Sequence, residues 1–235
     1  MERTVSYQGQ KTQVLVNNFI RSVYNWMAIG LGLTGLAAFY VAGSPTLLEL
    51  IFGNKLIFFG LIIGELALVF SISARIEKMK ASTATALFVF YSILNGVTLA
   101  SILLVYTMSS VASTFFICAL TFGITSIFGM VTKKDLTGVG QFMFMGLIGI
   151  IIASVVNLFV GSSGLSMIIS YIGVFVFVGL TAYDTQKLKH MALTQPDGLD
   201  AGTLRKGAIL GALTLYLDFI NMFLFLLHIL GVNRD

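Results

Sequence analysis

The sequence predicts an all-α integral membrane protein, a bundle of seven transmembrane helices. Three observations carry that reading. Of the 235 residues, 57% are hydrophobic and 10% are charged, whereas a soluble domain carries about 25% charged residues. The apolar residues gather into seven runs, each long enough to cross a hydrocarbon core of ~30 Å as a helix. The runs lack the alternating polarity that a transmembrane barrel needs. In hydrocarbon only a helix satisfies every backbone group within its own segment.

In chain order the runs are 23–43, 56–75, 83–106, 111–131, 138–160, 165–187 and 207–230. They define a transmembrane domain over 23–230, preceded by a polar cytoplasmic segment, 1–22, and followed by a short tail, 231–235. The first run is a full span with no small-residue cleavage pattern, so no cleavable signal peptide is expected. The connection from Gly43 to Asn54 reads as a longer, partly apolar turn at the interface. Thr194-Gln-Pro-Asp-Gly198 reads as a turn between the last two spans. Gly60-Leu-Ile-Ile-Gly64 and Gly207-Ala-Ile-Leu-Gly211 fit the small-xxx-small pattern of close helix packing. Cys118 is the single cysteine, which excludes an intrachain disulfide and makes it a small core residue. His190 and His228 stand alone, without metal-ligand spacing. No cofactor is expected.

Charge predicts orientation. Arg3, Lys11, Arg21, Arg75, Lys78, Lys80, Lys133, Lys134, Lys187, Lys189, Arg205 and Lys206 fall on one side, and only Lys55 and Arg234 on the other. Twelve against two is a strong positive-inside signal. It puts the N-terminus in the cytoplasm and, with seven spans, the C-terminus outside. The net charge of +4 reports this topology and not a nucleic-acid partner. The partner implied is the lipid bilayer, and Trp26 with the tyrosines near span ends fits an aromatic belt at its surface.

Three carboxyls interrupt the apolar runs: Glu65, Asp184 and Asp218. Asp218 lies eleven residues after Gly207, hence ~16 Å into the last span at ~1.5 Å per residue. An ionised carboxylate there costs roughly 2.5–3.5 kcal/mol on insertion scales, so such a residue faces a bundle interior or a watered path and reads as functional. Glu65, ten residues before Arg75, is expected at similar depth. Asp184, in the last turns of the sixth span, is expected shallower, near Arg75. The expectation is an acidic ladder from midplane to cytoplasm with Arg75 at its inner end. Carboxyls in contact titrate as a coupled set, and their oxygens suit hard cations such as Ca²⁺. Ca²⁺ takes about six to eight oxygens and no EF-hand pattern is present, so a transient Ca²⁺ site near Asp184 and Asp218 fits better than a tight one. Plainer roles compete: Asp184 pairing with Lys187, Glu65 hydrogen-bonding a neighbouring helix, Asp218 bonding Asn95 or a tyrosine. Asn95, Asn157 and Asn221 read as interhelical hydrogen-bonding groups.

The seven-span pattern, Lys133-Lys134-Asp135-Leu136, Ala182-Tyr183-Asp184 and above all Leu213-Thr-Leu-Tyr-Leu-Asp218-Phe-Ile-Asn221 resemble the Bax inhibitor-1 family, also called transmembrane Bax inhibitor motif proteins. The short polar N-terminus looks like the bacterial branch, which implies the bacterial inner (plasma) membrane. The resemblance implies a bundle whose last helix is central and wrapped by the other six. It implies a pH-sensitive Ca²⁺ leak in which Asp184 and Asp218 sense protons and Arg75 latches to the helix-six aspartate. Glu65 falls where relatives carry an acid. It also implies that a membrane protease could be bound and modulated.

Two other functions compete with a leak. A non-catalytic regulator of a membrane protease or another membrane protein is one. An intramembrane aspartyl protease is the other, since those enzymes also carry Tyr-Asp on one helix and Asp on the next. Their second motif is Gly-x-Gly-Asp, which lets a substrate backbone approach. Here Leu215-Tyr216-Leu217 is bulky, so the chain is not expected to be an enzyme.

Overall fold

The structure is a computed structural model that describes residues 2–194 and 200–234, with side chains in the first helix from residue 16 onward. Most of the turn expected at Thr194–Gly198 lies outside the described residues. Nine helices are described: α1 (Glu2–Ala42), α2 (Pro45–Phe52), α3 (Lys55–Arg75), α4 (Ala81–Leu99), α5 (Ile102–Val105), α6 (Met108–Val131), α7 (Thr137–Val160), α8 (Ser163–Leu193) and α9 (Ala201–Leu230). Seven stretches are long and apolar enough to cross a membrane: α1 from Val16, α3, α4 with α5, α6, α7, α8 and α9. They follow the seven expected runs in order. The one β-type pairing among the described residues is an isolated bridge between Tyr106 and Asn233.

Local chemistry explains the helix ends. The connection expected as a turn after Gly43 is a helix, α2, opened by Pro45 in its first turn, where a missing N–H costs nothing. Ile51 docks α2 against Val41 and Ala100. Asn54 caps α3, its Oδ1 accepting from the Leu56 N–H at 2.9 Å. Gly161, at φ 66°, turns the chain out of α7. α8 runs six residues past the expected end at 187, to Leu193. Hydropathy falls at Lys187 and Lys189, but backbone bonding does not stop there. Long cationic side chains reach water while the helix continues, and Thr194 closes it by donating to the His190 carbonyl from both N–H and hydroxyl.

The chain divides into two compact units. The first comprises Met1–Val105 and Lys189–Tyr216. In it α1 and α3 pack against α4. A Cβ on Gly96 would overlap the Thr34 carbonyl, so α1 and α4 meet backbone to backbone. The Tyr216 ring sits edge-on to Phe88 and Tyr91, with centroids 6.0 and 5.7 Å away. At the start of α9, Arg205 lies 5.3 Å over the Trp26 ring and donates to Thr85 Oγ1 at 3.1 Å. Lys206 donates to the Glu77 carbonyl at 2.9 Å. These two charges therefore bind the helix start to its neighbours.

The second unit comprises Tyr106–Leu188 and Leu217–Asp235. Gly129 lets α6 lie against the Ala182 backbone of α8, and Ser126 and Thr185 share a hydrogen bond of 3.1 Å beside it. Phe219 of α9 stacks edge-on against Phe115 and Phe122 of α6, at 5.4 and 5.5 Å. Gln186 ties α8 to the α6–α7 loop: its Nε2 donates to the Lys134 carbonyl and its Oε1 accepts from the Leu136 N–H, both at 2.8 Å.

Burial follows a membrane pattern. α9 has the most buried span window, 61%, against 6% in α3 and 11% in α7. Leu56, Phe70, Leu158 and Phe159 are each more than two-thirds exposed. Such apolar surface is at home against lipid and a liability in water. Gly60 and Gly64 lie on this outer surface: among the described residues nothing approaches where a Cβ would stand, so the first small-xxx-small pair is not a packing face here. Gly207, of the second pair, does meet the Phe19 ring. Cys118 is buried, its Sγ 3.6 Å from the Phe219 carbonyl.

Asp200 caps α9, accepting from the Thr203 hydroxyl and, at 3.1 Å, from the Thr203 N–H. The hydroxyl bond first and the N–H bond second hold its carboxyl below the usual range. A depressed folded value means the cap stabilises at pH above the unfolded value of about 4 and is lost as pH falls through the folded value. Asp200→Ala is therefore expected to lower the melting temperature of detergent-solubilised protein at pH 7, with the gap to wild type closing in acid. A gap that is the same at pH 3 and pH 7 would mean the ionised carboxylate is not the stabilising form.

Candidate functional site

Helical spacing builds the central pair. On α8 the positions 170, 173, 177, 180 and 184 form one stripe, and on α9 the positions 218, 221, 225 and 228 form another, because residues three and four apart share a face. The carboxyls of Asp184 and Asp218 face each other closely enough to share a hydrogen bond once one of them is protonated. A bond between two carboxyls needs a proton on one of them. Asp218 is 4% exposed and Asp184 is half-buried. No N–H or hydroxyl among the described residues donates to Asp218 Oδ2, which is fully buried. Buried polar atoms are nearly always partnered, so this orphan oxygen marks the site. Thr181, Ala182 and Thr185 close α8 around Asp184. Lys187, one turn on, is a cationic neighbour of Asp184 and stands 6.0 Å from the Tyr183 ring centroid.

The remaining carboxyl builds a different constellation. Glu65 of α3 accepts from Thr98 Oγ1 at 2.8 Å and, through its other oxygen, from Asn95 Nδ2 at 3.4 Å. Tyr216 donates to Asn95 Oδ1 at 3.0 Å and shares a 2.7 Å bond with Thr34 Oγ1. Thr34 in turn reaches the Gly30 and Ser92 carbonyls at 2.9 and 2.8 Å. Thr98 Oγ1 also lies 2.9 Å from the Asn95 carbonyl, and its single proton serves one acceptor at a time. The site therefore accommodates both states of Glu65. An ionised Glu65 accepts from Thr98; a protonated one donates to Thr98, which then turns to the Asn95 carbonyl.

Several expectations change against this geometry. Asp184 stands further from the end of its helix than a span ending at 187 implied. It lies nine residues before Leu193, about 14 Å along the axis, and it meets Asp218 rather than standing shallower. The ladder resolves into an aspartate pair and a separate glutamate cluster. Asn95 is an interhelical bonding group, as expected. Asn221 is not: it donates to the Leu217 carbonyl of its own helix at 2.8 Å. Asn157 ties the α7–α8 turn, donating to Ser166 Oγ at 2.7 Å and accepting from the Ser162 N–H at 3.1 Å. Arg75 is exposed at the last residue of α3. Sequence reasoning missed Thr34, Thr98, Tyr216 and Gln186. The usable signal was Asn95 and Thr98 at i, i+3 in an apolar run, a spacing that puts both on one face.

Chemically, the pair can hold a proton or, once ionised, attract a cation. Among the described residues no three His, Cys, Asp or Glu converge as a metal cage. Two carboxyls fall well short of the about six to eight oxygens that a tight Ca²⁺ site uses.

Residues 16–235 match the family described as Inhibitor of apoptosis-promoting Bax1. The chain is 53% identical to the Inner membrane protein YbhL of Escherichia coli, over 93% of each chain. It is 45% identical to an uncharacterized protein of Deinococcus radiodurans, over 98% of this chain and 97% of that one. To an uncharacterized membrane protein of Streptococcus pyogenes it is 36% identical, over 95% and 96%. A family match across nearly the whole chain, with seven apolar helices beneath it, makes the chain a multi-pass membrane protein that belongs to the Bax inhibitor-1 family.

Proposed function

We propose that the protein is a pH-sensitive cation leak, with Ca²⁺ as the cation best suited to its oxygen chemistry, gated by the Asp184–Asp218 pair. The observation that carries this is the buried Asp218 carboxyl, whose Oδ2 has no N–H or hydroxyl donor among the described residues and which faces a second carboxyl on the preceding helix. With a proton between them the two groups hold α8 and α9 together. Without it, two negative charges share a dry site and repel, and a passing cation is the natural counterion. Arg75 is assigned the competing cation, on its match to the family arrangement and its place at the end of α3. Glu65, with Asn95, is assigned a second carboxyl station. Neither assignment involves catalysis. Leu215 and Tyr216, both fully buried, leave no room for the substrate backbone that an intramembrane protease must admit.

The relative YbhL is described as an inner membrane protein. With the basic residues at twelve against two, we place this chain in the bacterial inner membrane with its N-terminus cytoplasmic and its C-terminus periplasmic. A second reading, a non-catalytic regulator of a membrane protease or other membrane protein, draws on the open faces of α3 and α7, which could seat a partner helix as well as lipid.

Orientation is read by reporter fusions after residue 234. A periplasm-dependent reporter is expected to be active there and a cytoplasm-dependent one silent; the reverse pattern would overturn the placement.

In proteoliposomes, Asp218→Asn is expected to keep the fold, since Asn is nearly isosteric, and to flatten the pH dependence of Ca²⁺ flux. Wild-type pH dependence in purified D218N would make Asp218 structural. Wild-type protein that passes no cation at any pH would favour the regulator.

The pair should also titrate as one unit. Asp184→Asn is expected to move the flux midpoint by about one pH unit or more, equivalent to ~1.4 kcal/mol of coupling. A flux midpoint unmoved by Asp184→Asn would show two independent groups.

A further inference from the structure

The second unit holds a groove of about 590 Å³ at the end where α7 turns into α8 and α9 finishes. Its lining includes Ser154, Asn157, Ser162, Ser166, Ser170 and His228. Five hydroxyl or amide side chains and an imidazole give the groove polar groups among apolar neighbours such as Leu158, Ile169 and Leu224. Ser170 lies on the α8 stripe that leads to Asp184, and His228 on the α9 stripe that leads to Asp218. About four turns of α8 and three of α9 separate this mouth from the carboxyl pair, and the chemistry between them is different.

Phe225 lines the groove and also leaves it. Its ring lies flat against Gly173, one turn below Ser170, so closely that a Cβ on Gly173 would overlap it. Phe177, one turn further towards Asp184, is 6.0 Å away ring to ring and is 4% exposed. Leu180 follows, also buried. The Thr181 hydroxyl beside it donates to the Phe177 carbonyl at 2.7 Å, so it offers no free polar group. Past this apolar layer comes Asn221, on the α9 stripe one turn before Asp218. The order is therefore polar mouth, aromatic layer, amide, carboxyl pair.

We propose that the Phe225 ring, seated on Gly173 and backed by Phe177, is the closure that separates a polar vestibule at the C-terminal side from the Asp184–Asp218 site. This rests on the leak reading above, in which a cation must pass between the two. An apolar constriction excludes an ion by excluding its water. Gly173 is the seat because only hydrogen leaves room for the ring. The closure opens when the ring swings off Gly173, a rotamer change that needs no helix to unfold.

The test is cysteine accessibility in a Cys118→Ala background, using right-side-out vesicles defined by an accessible C-terminal tag. The probe is a membrane-impermeant cationic methanethiosulfonate added outside. Ser166→Cys, in the mouth, is expected to react readily. Asn221→Cys, beyond the ring, is expected to react at least about tenfold more slowly. Adding Phe225→Ala should raise the Asn221→Cys rate about tenfold and leave Ser166→Cys unchanged. Phe225→Leu, which keeps apolar bulk, should stay closed, and Gly173→Ala, which displaces the ring, should open partly. An unchanged Ser166→Cys rate and a monodisperse elution profile report that the variants fold.

Flux separates this proposal from the reading beneath it. Faster labelling of Asn221→Cys together with raised Ca²⁺ flux at a pH where wild type is silent supports both. Faster labelling with no flux at any pH keeps the closure and sinks the leak. An Asn221→Cys rate that is fast in wild type, or unmoved by Phe225→Ala and Gly173→Ala alike, overturns the closure whatever the flux.

Discussion

One constraint organises the molecule: a carboxyl on the most buried helix must be satisfied where water is scarce. Asp218 is 96% removed from solvent, and no N–H or hydroxyl among the described residues donates to its Oδ2. A buried lone charge is costly enough that proteins pair it or neutralise it. Here the partner is Asp184, a group of the same kind, so the bond between them exists only while a proton is present. Elsewhere the helix contacts are of the ordinary membrane sort, small residues and aromatic rings in close contact. This one contact depends on a proton.

α9 shows how one helix serves two chemistries. Tyr216 and Asp218 are two residues apart, and the helical repeat turns them to different faces. Tyr216 joins the Glu65 cluster, where hydroxyls and an amide satisfy the carboxyl in either protonation state. Asp218 joins a pair where its Oδ2 has no N–H or hydroxyl donor among the described residues. The contrast is physical: Glu65 has Thr98 and Asn95 within reach, so changing its proton rearranges hydroxyls. Changing the proton on the aspartate pair changes whether two helices attract or repel. A titratable group moves structure only where no local donor absorbs the change.

Much of this was legible in the residues. The seven spans and the burial of Asp218 inside its helix bundle follow from hydropathy and from the cost of exposing charge to lipid. What was not legible had local causes. Asp184 was expected shallower than Asp218, yet the two meet, and helix α8 persists past Lys187 to Leu193. Helix ends follow backbone bonding, not polarity. Asn221 was read as an interhelical donor, yet its amide turned back onto Leu217; the choice between own helix and neighbour is a rotamer choice that sequence does not encode. Gln186 carried no signal beside charged neighbours, although its two bonds fasten a loop. Gly60 and Gly64 matched a packing pattern, but a pattern on one helix says nothing of whether another helix is there.

A proton-dependent bond between helices can serve more than one end, and the surroundings decide which. If the apolar layer at Phe177 and Phe225 parts when the aspartates repel, the change of charge becomes a path, because polar groups stand on both sides of the layer: His228 and Ser170 on one, Asn221 and the pair on the other. If the layer holds, the same repulsion can still strain α8 against α9 without conducting anything, and the outer faces would carry the consequence to a partner. The two outcomes share one sensor and differ in a single aromatic contact. That contact is a ring on a glycine, held by dispersion and the exclusion of water rather than by a hydrogen bond, so it lacks the directional bond that would fix it in place.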